Sequence, residues 1–402
     1  MIVQCFWFSI FFILYTYLGY PLILTVLARF KPESKELQPH TPSVTLLIAA
    51  YNEETVIAKK LENALGLDYP GDKLQILVAA DGSDDRTVEI VKSYVEQGVE
   101  LSFSHKRQGK MAAINRAMVV AQGEIVVFSD ANNMYSKNVI RDLAAPFADA
   151  EVGGVSGAKK VLSDGGVLGE SEGFYWKYES NIKKQESRLG TCTGTAGEIF
   201  AIRRALYVPP PGEIINDDFY MAMQILKQGS QIKYAPEAVS MEPVSLTPQD
   251  EIIRRERIIA GRYQAMSLSD KNLPLKRPLV MWQIISHKFL RPMIPFAMIM
   301  AFLSNFLSLF KGKNYKGKGV FYRFTNLFLP FGMIFFICQL GFYLLAALGI
   351  VRKGELTKRK LFYLPAFLVN SNLAALKGFY RYISGNSSVN WKKVERQVVE
   401  NE

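Results

Sequence analysis

The chemistry this sequence is able to do centres on four acids and the cations spaced among them. Asp130 closes the run 124–133, EIVVFSDANN, and Asn132 follows two residues on. Where a chain leaves a buried strand, side-chain oxygens two apart could converge on one cation, and such hard oxygens suit Mg²⁺ or Mn²⁺ rather than zinc. Asp81 directly follows a second apolar run, 74–80, and its carboxylate could accept a hydrogen bond from a nucleobase N–H. Asp217 and Asp218 are adjacent at the head of a helical segment. One could act as a general base, a role worth roughly 10²–10⁴ in rate, while the other raises its proton affinity by like-charge coupling. Lys110 and Arg107, and Arg254, Arg257 and Arg262 along one basic helix, could supply positive charge to phosphate oxygens. Each group also has a plainer reading. These are strand-closing Asp–Asn and Asp–Gly turns, acids complementing a helix dipole, and basic residues in a solvated loop or against lipid headgroups. Read together, a cation, a diphosphate, a base and arginines imply displacement of a nucleoside diphosphate from a sugar. The acceptor hydroxyl loses its proton to the base and attacks the anomeric carbon.

Such side chains need a scaffold that delivers distant segments to one edge. Residues 44–50, 74–80, 99–103 and 125–128 read as strands, separated by acid-rich turns and amphipathic helices. Strand, turn and helix in repetition is the signature of an α/β, doubly wound sheet, whose ligands lie at the carboxyl ends of the strands. Asn52 is expected to cap the first helix and Ser136 the one after the central strand. Beyond residue 150 the pattern changes. There is a Gly-rich strand at 153–158, a helix over 174–188 with an aromatic cluster, and a small-residue loop at 191–197, TCTGTAG. A strand follows at 198–202, then a helix opened by Asn216 and ended at Gly229, and a basic helix at 249–264.

The ends of the chain are of another character. Of 402 residues 49% are hydrophobic, and the apolar excess lies at the two termini, so the chain reads as a membrane protein with a soluble middle. The net charge is +11, but much of that excess flanks apolar spans, which suits anionic headgroups and not nucleic acid. Three cysteines and three histidines are scattered, without zinc spacing, and the middle region is expected to form in a reducing compartment. Residues 2–28 carry no charge and exceed the ~20 needed to cross a bilayer. They lack the basic start and small-residue cleavage site of a signal peptide, so they are read as an anchor. Arg29, Lys31 and Lys35 place the downstream side in the cytoplasm. The expected organisation is an anchor at 1–30, a cytoplasmic catalytic domain at 43–273 and an interfacial helix at 275–290. A membrane region of two or three spans follows at 291–383, with a polar tail at 384–402. Residues 361–380, holding Asn370, Asn372 and Lys377, read either as the third span or as a second interfacial helix.

The ordered segments AYNEE (50–54), ADGSDD (80–85), GKMAAIN (109–115), FSDANN (128–133), GTAGEIFAIRR (194–204) and NDDF (216–219) resemble the membrane-bound family 2 glycosyltransferases. These include cellulose, hyaluronan and poly-N-acetylglucosamine synthases and bacterial exopolysaccharide enzymes. Any one segment is weak, and the ordered set is specific. The resemblance covers about 43–270 and implies a GT-A fold, inverting transfer, a UDP-sugar donor and Mg²⁺ or Mn²⁺. It places Asp81 on the nucleobase, Asp130 and Asn132 on the metal, and Asp218 as catalytic base with Asp217 beside it. Ala50, Asn52, Glu53, Lys110 and Arg257 would line the donor site, and Gly194, Thr195 and Gly197 the acceptor side. Arg257 matches the arginine of the Q-x-x-R-W motif, but Arg254 stands for its Gln and Ile258 for its Trp. That departure weighs against processive synthesis and leaves transfer to a lipid-linked or polysaccharide acceptor. A processive, chain-exporting synthase working with other exopolysaccharide-assembly proteins, and a non-catalytic sugar-nucleotide sensor, are the alternatives. The enzyme would sit in the inner membrane with its catalytic domain in the cytoplasm.

Overall fold

The computed structural model describes residues 1–31, 40–162, 167–243, 248–310, 332–351 and 360–385. Helix α1 (Ile2–Arg29) leads into the first half of the domain. That half comprises β1 (Val44–Ala50), α2 (Ile57–Leu65), β2 (Leu74–Asp81), α3 (Thr87–Lys92), β3 (Val99–Ser104), α4 (Lys110–Met118) and β4 (Ile125–Asp130). The second half comprises β5 (Met134–Tyr135), α5 (Val139–Ala144), β6 (Val152–Leu162), α6 (Val167–Arg188), β7 (Phe200–Arg203), α7 (Asp217–Lys227), β8 (Gln231–Pro243) and α8 (Pro248–Ser267). Helices α9 (Pro278–Leu309), α10 (Gly332–Val351) and α11 (Lys360–Ile383) follow.

The eight strands form one mixed sheet in the order β3-β2-β1-β4-β7-β6-β8-β5. The first four are parallel, with β1 central, paired in register to β2 (Ala50 with Ala80) and to β4 (Ala49 with Asp130). Strands buried on both faces read as continuous apolar runs, and successive side chains still alternate between two cores. Leu46, Ile48 and Val127 join Ile57, Leu61, Val91 and Leu143 under α2, α3 and α5. Leu47, Val126 and Phe128 join Met111, Ile114, Phe219 and Met223 under α4 and α7. The helices thus cover both faces, and the carboxyl ends of β1, β2 and β4 are left free at one edge.

Several expectations need correction. Asn52 does not cap a helix. It sits at φ 53°, exchanges hydrogen bonds with Asp84, and α2 begins only at Ile57. Asn138, not Ser136, precedes α5. The strand β8 lay in a stretch, 230–248, for which the residues offered no reading. Residues 275–290 are not a separate interfacial helix, because Pro278–Leu309 is one continuous helix. Val280 and Ile284 on its first turns enter the second core, and His287 and Lys288 are buried. Its polar residues face acids of α6 instead of lipid headgroups.

Among the described residues, three helices, Ile2–Arg29, Pro278–Leu309 and Gly332–Val351, are long and apolar enough to cross a membrane. Helix α11 packs instead along α8 and α10. A Cβ at Gly378 would lie 2.7 Å from Ile259 Cβ, and one at Gly349 would lie 2.6 Å from the Phe362 carbonyl oxygen. The basic loop 311–323, the start of the span expected at 326–351, and most of the tail lie outside the described residues.

Candidate active site

Asp81 ends β2 with its side chain buried. Its two oxygens accept the backbone N–H groups of Gln108 (3.1 and 3.0 Å) and Gly109 (2.6 Å). The Asp–Gly pair is required here by a close approach. Gly82 has φ 64°, and a Cβ on it would lie 2.4 Å from the Arg107 nitrogen. The loop that carries Arg107 is therefore pressed against the turn after β2. Arg107 stacks on Tyr51, its Cζ 3.8 Å from the ring centroid, and donates to the Tyr51 hydroxyl at 3.1 Å. Ala50, Asn52 and Glu53 continue from β1 beside this loop. The Asn52 N–H donates to Ser83 Oγ at 3.1 Å and the Glu53 N–H to Thr87 Oγ1 at 2.7 Å.

Two strand spacings separate Asp81 from Asp130, about 10 Å across the sheet edge. Lys110, the first residue of α4, spans the interval and donates from Nζ to Asp130 Oδ1 at 2.6 Å. Burial acts against it, but Asp130 and then Asp217 hold the Lys110 ammonium above its ordinary range. Asn132 Oδ1 is buried without a hydrogen-bond partner among the described residues. A buried amide oxygen left unpaired beside a carboxylate is the donor set a hard cation would satisfy. Asp130 and Asn132 thus fit Mg²⁺ or Mn²⁺, although no group of three or more His, Cys, Asp or Glu residues suited to a metal is present among the described residues.

The turn bearing Asn132 is held by residues that no sequence pattern singled out. Asn133 donates to the Glu198 carbonyl (3.0 Å) and to Ser240 Oγ (2.7 Å), and the Tyr135 hydroxyl donates to the same Glu198 carbonyl at 2.6 Å. Lys60 is fully buried, donates to the Asn133 carbonyl at 2.7 Å and lies 4.0 Å from the Tyr135 ring centroid. Burial lowers its pKa to about 7, against the pull of Asp130. A lysine at the i+3 position of an apolar helix face reads from sequence as a surface residue, so only the fold reveals this brace.

The acid pair opens α7. Asp218 Oδ1 accepts the Phe219 N–H at 2.7 Å. Burial, then Asp217, push the Asp218 carboxyl above its ordinary value, and Arg262 pulls the other way. Arg257 is electrostatically coupled to Asp217, Asp130 and Asp218. The pair, Asp130, Lys110 and Arg257 therefore share one neighbourhood. The small-residue loop closes it, because a Cβ at Gly197 would lie 3.3 Å from Asp218 Cβ. Thr195 is partly exposed in that loop, and Gly194 lies deeper, where a Cβ would lie 2.8 Å from Lys288 Nζ.

Helix α8 sits tightly on the head of α7. Asn216 donates to the Ile258 carbonyl at 2.9 Å, and a Cβ at Gly261 would lie 2.4 Å from Asn216 Cγ. Asn216 is buried and cannot swing aside without losing that bond. Gly261→Ala is expected to destabilise the fold by roughly 1–3 kcal/mol, the usual range for overpacking. Thermal unfolding checks this, and an unchanged Tm would contradict the contact.

Comparison with known proteins places this edge in context. Residues 45–208 match the model of glycosyl transferase family 2. Over 210 residues the chain is 31% identical to beta-monoglucosyldiacylglycerol synthase of Trichormus variabilis, covering 50% of this chain and 44% of that one. It is 25% identical over 202 residues to poly-beta-1,6-N-acetyl-D-glucosamine synthase of Staphylococcus aureus, covering 49% and 48%. The chain thus spans less than half the length of these two relatives. A mannosyltransferase of Pyrobaculum calidifontis, solved with GDP-Man and Mn²⁺, superposes with a TM-score of 0.68 at 22% identity, covering 95% of this chain and 99% of that one. The fold is GT-A, and the match to family 2 falls on residues 45–208, which carry β1 to β7.

Proposed function

We propose that this chain, which carries a family 2 glycosyltransferase domain, is an inverting, membrane-anchored glycosyltransferase. It moves one sugar from a nucleoside-diphosphate donor, of UDP type, to a hydroxyl on a lipid-linked or glycan acceptor. The observation that carries this reading is the meeting of Asp81, Asp130 and the Asp217–Asp218 pair, with Lys110 and Arg257 among them, at the carboxyl edge of β1, β2 and β4.

Each residue then has one task. Asp81 and the 108–109 loop receive the base, with Tyr51 and Arg107 as its wall. Ala50, Asn52 and Glu53 border the same face. Asp218 takes the acceptor proton as the hydroxyl oxygen bonds to the anomeric carbon and the bond from that carbon to the diphosphate oxygen breaks. The electron pair leaves with the nucleoside diphosphate, where Lys110 and Arg257 offset the growing charge. A Mg²⁺ or Mn²⁺ held by Asp130 and Asn132 would add further charge neutralisation at the diphosphate. Gly197 borders the acceptor because a Cβ there would lie 3.3 Å from Asp218 Cβ, and Gly194 and Thr195 belong to the same loop. Mass action makes any ligand of the native state protective, which supplies the test. Full-length protein in detergent is screened by thermal unfolding against UDP- and GDP-sugars with Mn²⁺. One nucleotide sugar is expected to raise Tm, and release of its nucleoside diphosphate should depend on the protein. Protection by none of the panel, with no such release, would overturn the reading.

A further inference from the structure

On the side of Asp218 that faces the membrane helices lies a second charged cluster, which the transfer chemistry above leaves unused. Helix α6 supplies Glu179 and Glu186, and α9 supplies His287, Lys288 and Arg291. His287 Nε2 and Lys288 Nζ lie 2.8 Å from Glu179 Oε1, and Arg291 Nη1 donates to Glu179 Oε2 at 2.7 Å. Glu186 accepts from the Tyr20 hydroxyl (2.5 Å), the Thr193 N–H (2.7 Å) and His287 Nδ1 (2.8 Å). Against burial, which acts the other way, His287 holds both carboxyls below their ordinary range, helped at Glu179 by Lys288 and Arg291. Both nitrogens of His287 thus face carboxylates.

Lys288 and Arg291 are both drawn onto Glu179. Arg262 is within electrostatic reach of Asp218, Glu179 and Arg291, its Cζ 4.4 Å from the Phe219 ring centroid. Three guanidinium positions, Arg262 Nη1 and Arg291 Nε and Nη2, are buried without a hydrogen-bond partner among the described residues. Buried charged donors without acceptors are costly unless a ligand completes them. The fork geometry of arginine suits a phosphate. The donor diphosphate has its own cations, Lys110 and Arg257, beside Asp130. This second set instead lies where α9 and α1 leave the domain. Arg291 is 5.4 Å from the Tyr178 ring centroid, and the Tyr178 hydroxyl donates to the Tyr17 carbonyl of α1 at 2.8 Å.

We propose that Arg262 and Arg291, with Lys288 beside them, seat a phosphate group of the acceptor, and that the acceptor is therefore a phosphate-bearing lipid entering from the bilayer. This rests on the transferase reading and narrows its acceptor. It places the headgroup phosphate against the guanidinium groups and the reacting hydroxyl at Asp218.

The full chain in a phosphate-free detergent is titrated with farnesyl phosphate, farnesol and inorganic phosphate, each followed by thermal shift. Farnesyl phosphate is expected to raise Tm at concentrations where farnesol and inorganic phosphate do not. Arg262→Gln and Arg291→Gln should each weaken farnesyl phosphate at least tenfold, Arg262→Lys less so, with Mn²⁺–nucleotide binding unchanged in all three. Arg291 holds Glu179, so its variant risks misfolding. Arg262 Nη1 has no hydrogen-bond partner among the described residues to lose, and retained nucleotide binding reports an intact domain. Equal protection by farnesol, or undiminished farnesyl phosphate binding in Arg262→Gln, overturns the proposal and leaves the transferase reading standing. Equal protection by inorganic phosphate overturns the lipid assignment. Loss of nucleotide-sugar binding in the unaltered protein would count against the transferase reading itself.

Discussion

Asp218→Asn is expected to lower the rate of sugar transfer by roughly 10²–10⁴, the usual worth of a general base, while the nucleotide sugar still binds. The substitution keeps the shape of the side chain and the acceptor oxygen for the Phe219 N–H, so the head of α7 should stay in place. What it removes is a group able to take a proton. The environment suits that task. Burial and Asp217 raise the proton affinity of Asp218, and Arg262 limits the rise. A base works only when deprotonated, so kcat should fall as pH drops through this raised value, with the acid limb above that of an ordinary aspartate. Asp217→Asn removes a raising influence and should move that limb to lower pH while leaving measurable transfer. Persistent transfer in Asp218→Asn, or an acid limb unmoved in Asp217→Asn, would mean that the proton goes elsewhere.

The first half of the domain was legible because its signals are local. Each of β1, β2 and β4 is an unbroken apolar run stopped by a polar turn, and a parallel sheet places such stops on one edge. The family resemblance then assigned the acids to roles. The supports were not legible, because they depend on contacts between distant segments. Lys60 under Asn133, Asn216 against Gly261 and Glu198 beneath the 130–133 turn are pairings that no spacing announces. The misreading of residues 275–290 has a similar cause. Trp282, His287 and Lys288 within an apolar stretch are the pattern of a headgroup-facing helix, and the carboxylates of α6 are what make the burial of His287 and Lys288 affordable. Asn52 was mistaken for a cap because Asn before two acids is a strong local signal. Its bond to Asp84, from the turn after β2, outweighs that preference and holds it at positive φ.

Asp130→Asn should lower kcat/KM about a thousandfold. The metal's contribution to charge stabilisation is several kcal/mol, and about 4 kcal/mol corresponds to three powers of ten. In the structure Asp130 is engaged by Lys110 at 2.6 Å, and both side chains are largely shielded from solvent. Neutralising Asp130 removes a carboxylate ligand from the cation and the partner from Lys110, leaving Asn132 as the sole remaining member of the pair. Two observables separate these effects. Loss of the metal site predicts that Mn²⁺ no longer tightens nucleotide binding in the variant, whereas it does so in the unaltered protein. Loss of the ion pair alone would lower Tm without changing the response to Mn²⁺. Excess chelator should abolish transfer by the unaltered protein, and Mg²⁺ or Mn²⁺ should restore it. The residual rate of Asp130→Asn should be indifferent to both treatments. A variant that still needs Mn²⁺, or an unaltered enzyme fully active in chelator, would remove Asp130 from the metal and leave its pairing with Lys110 as its whole role.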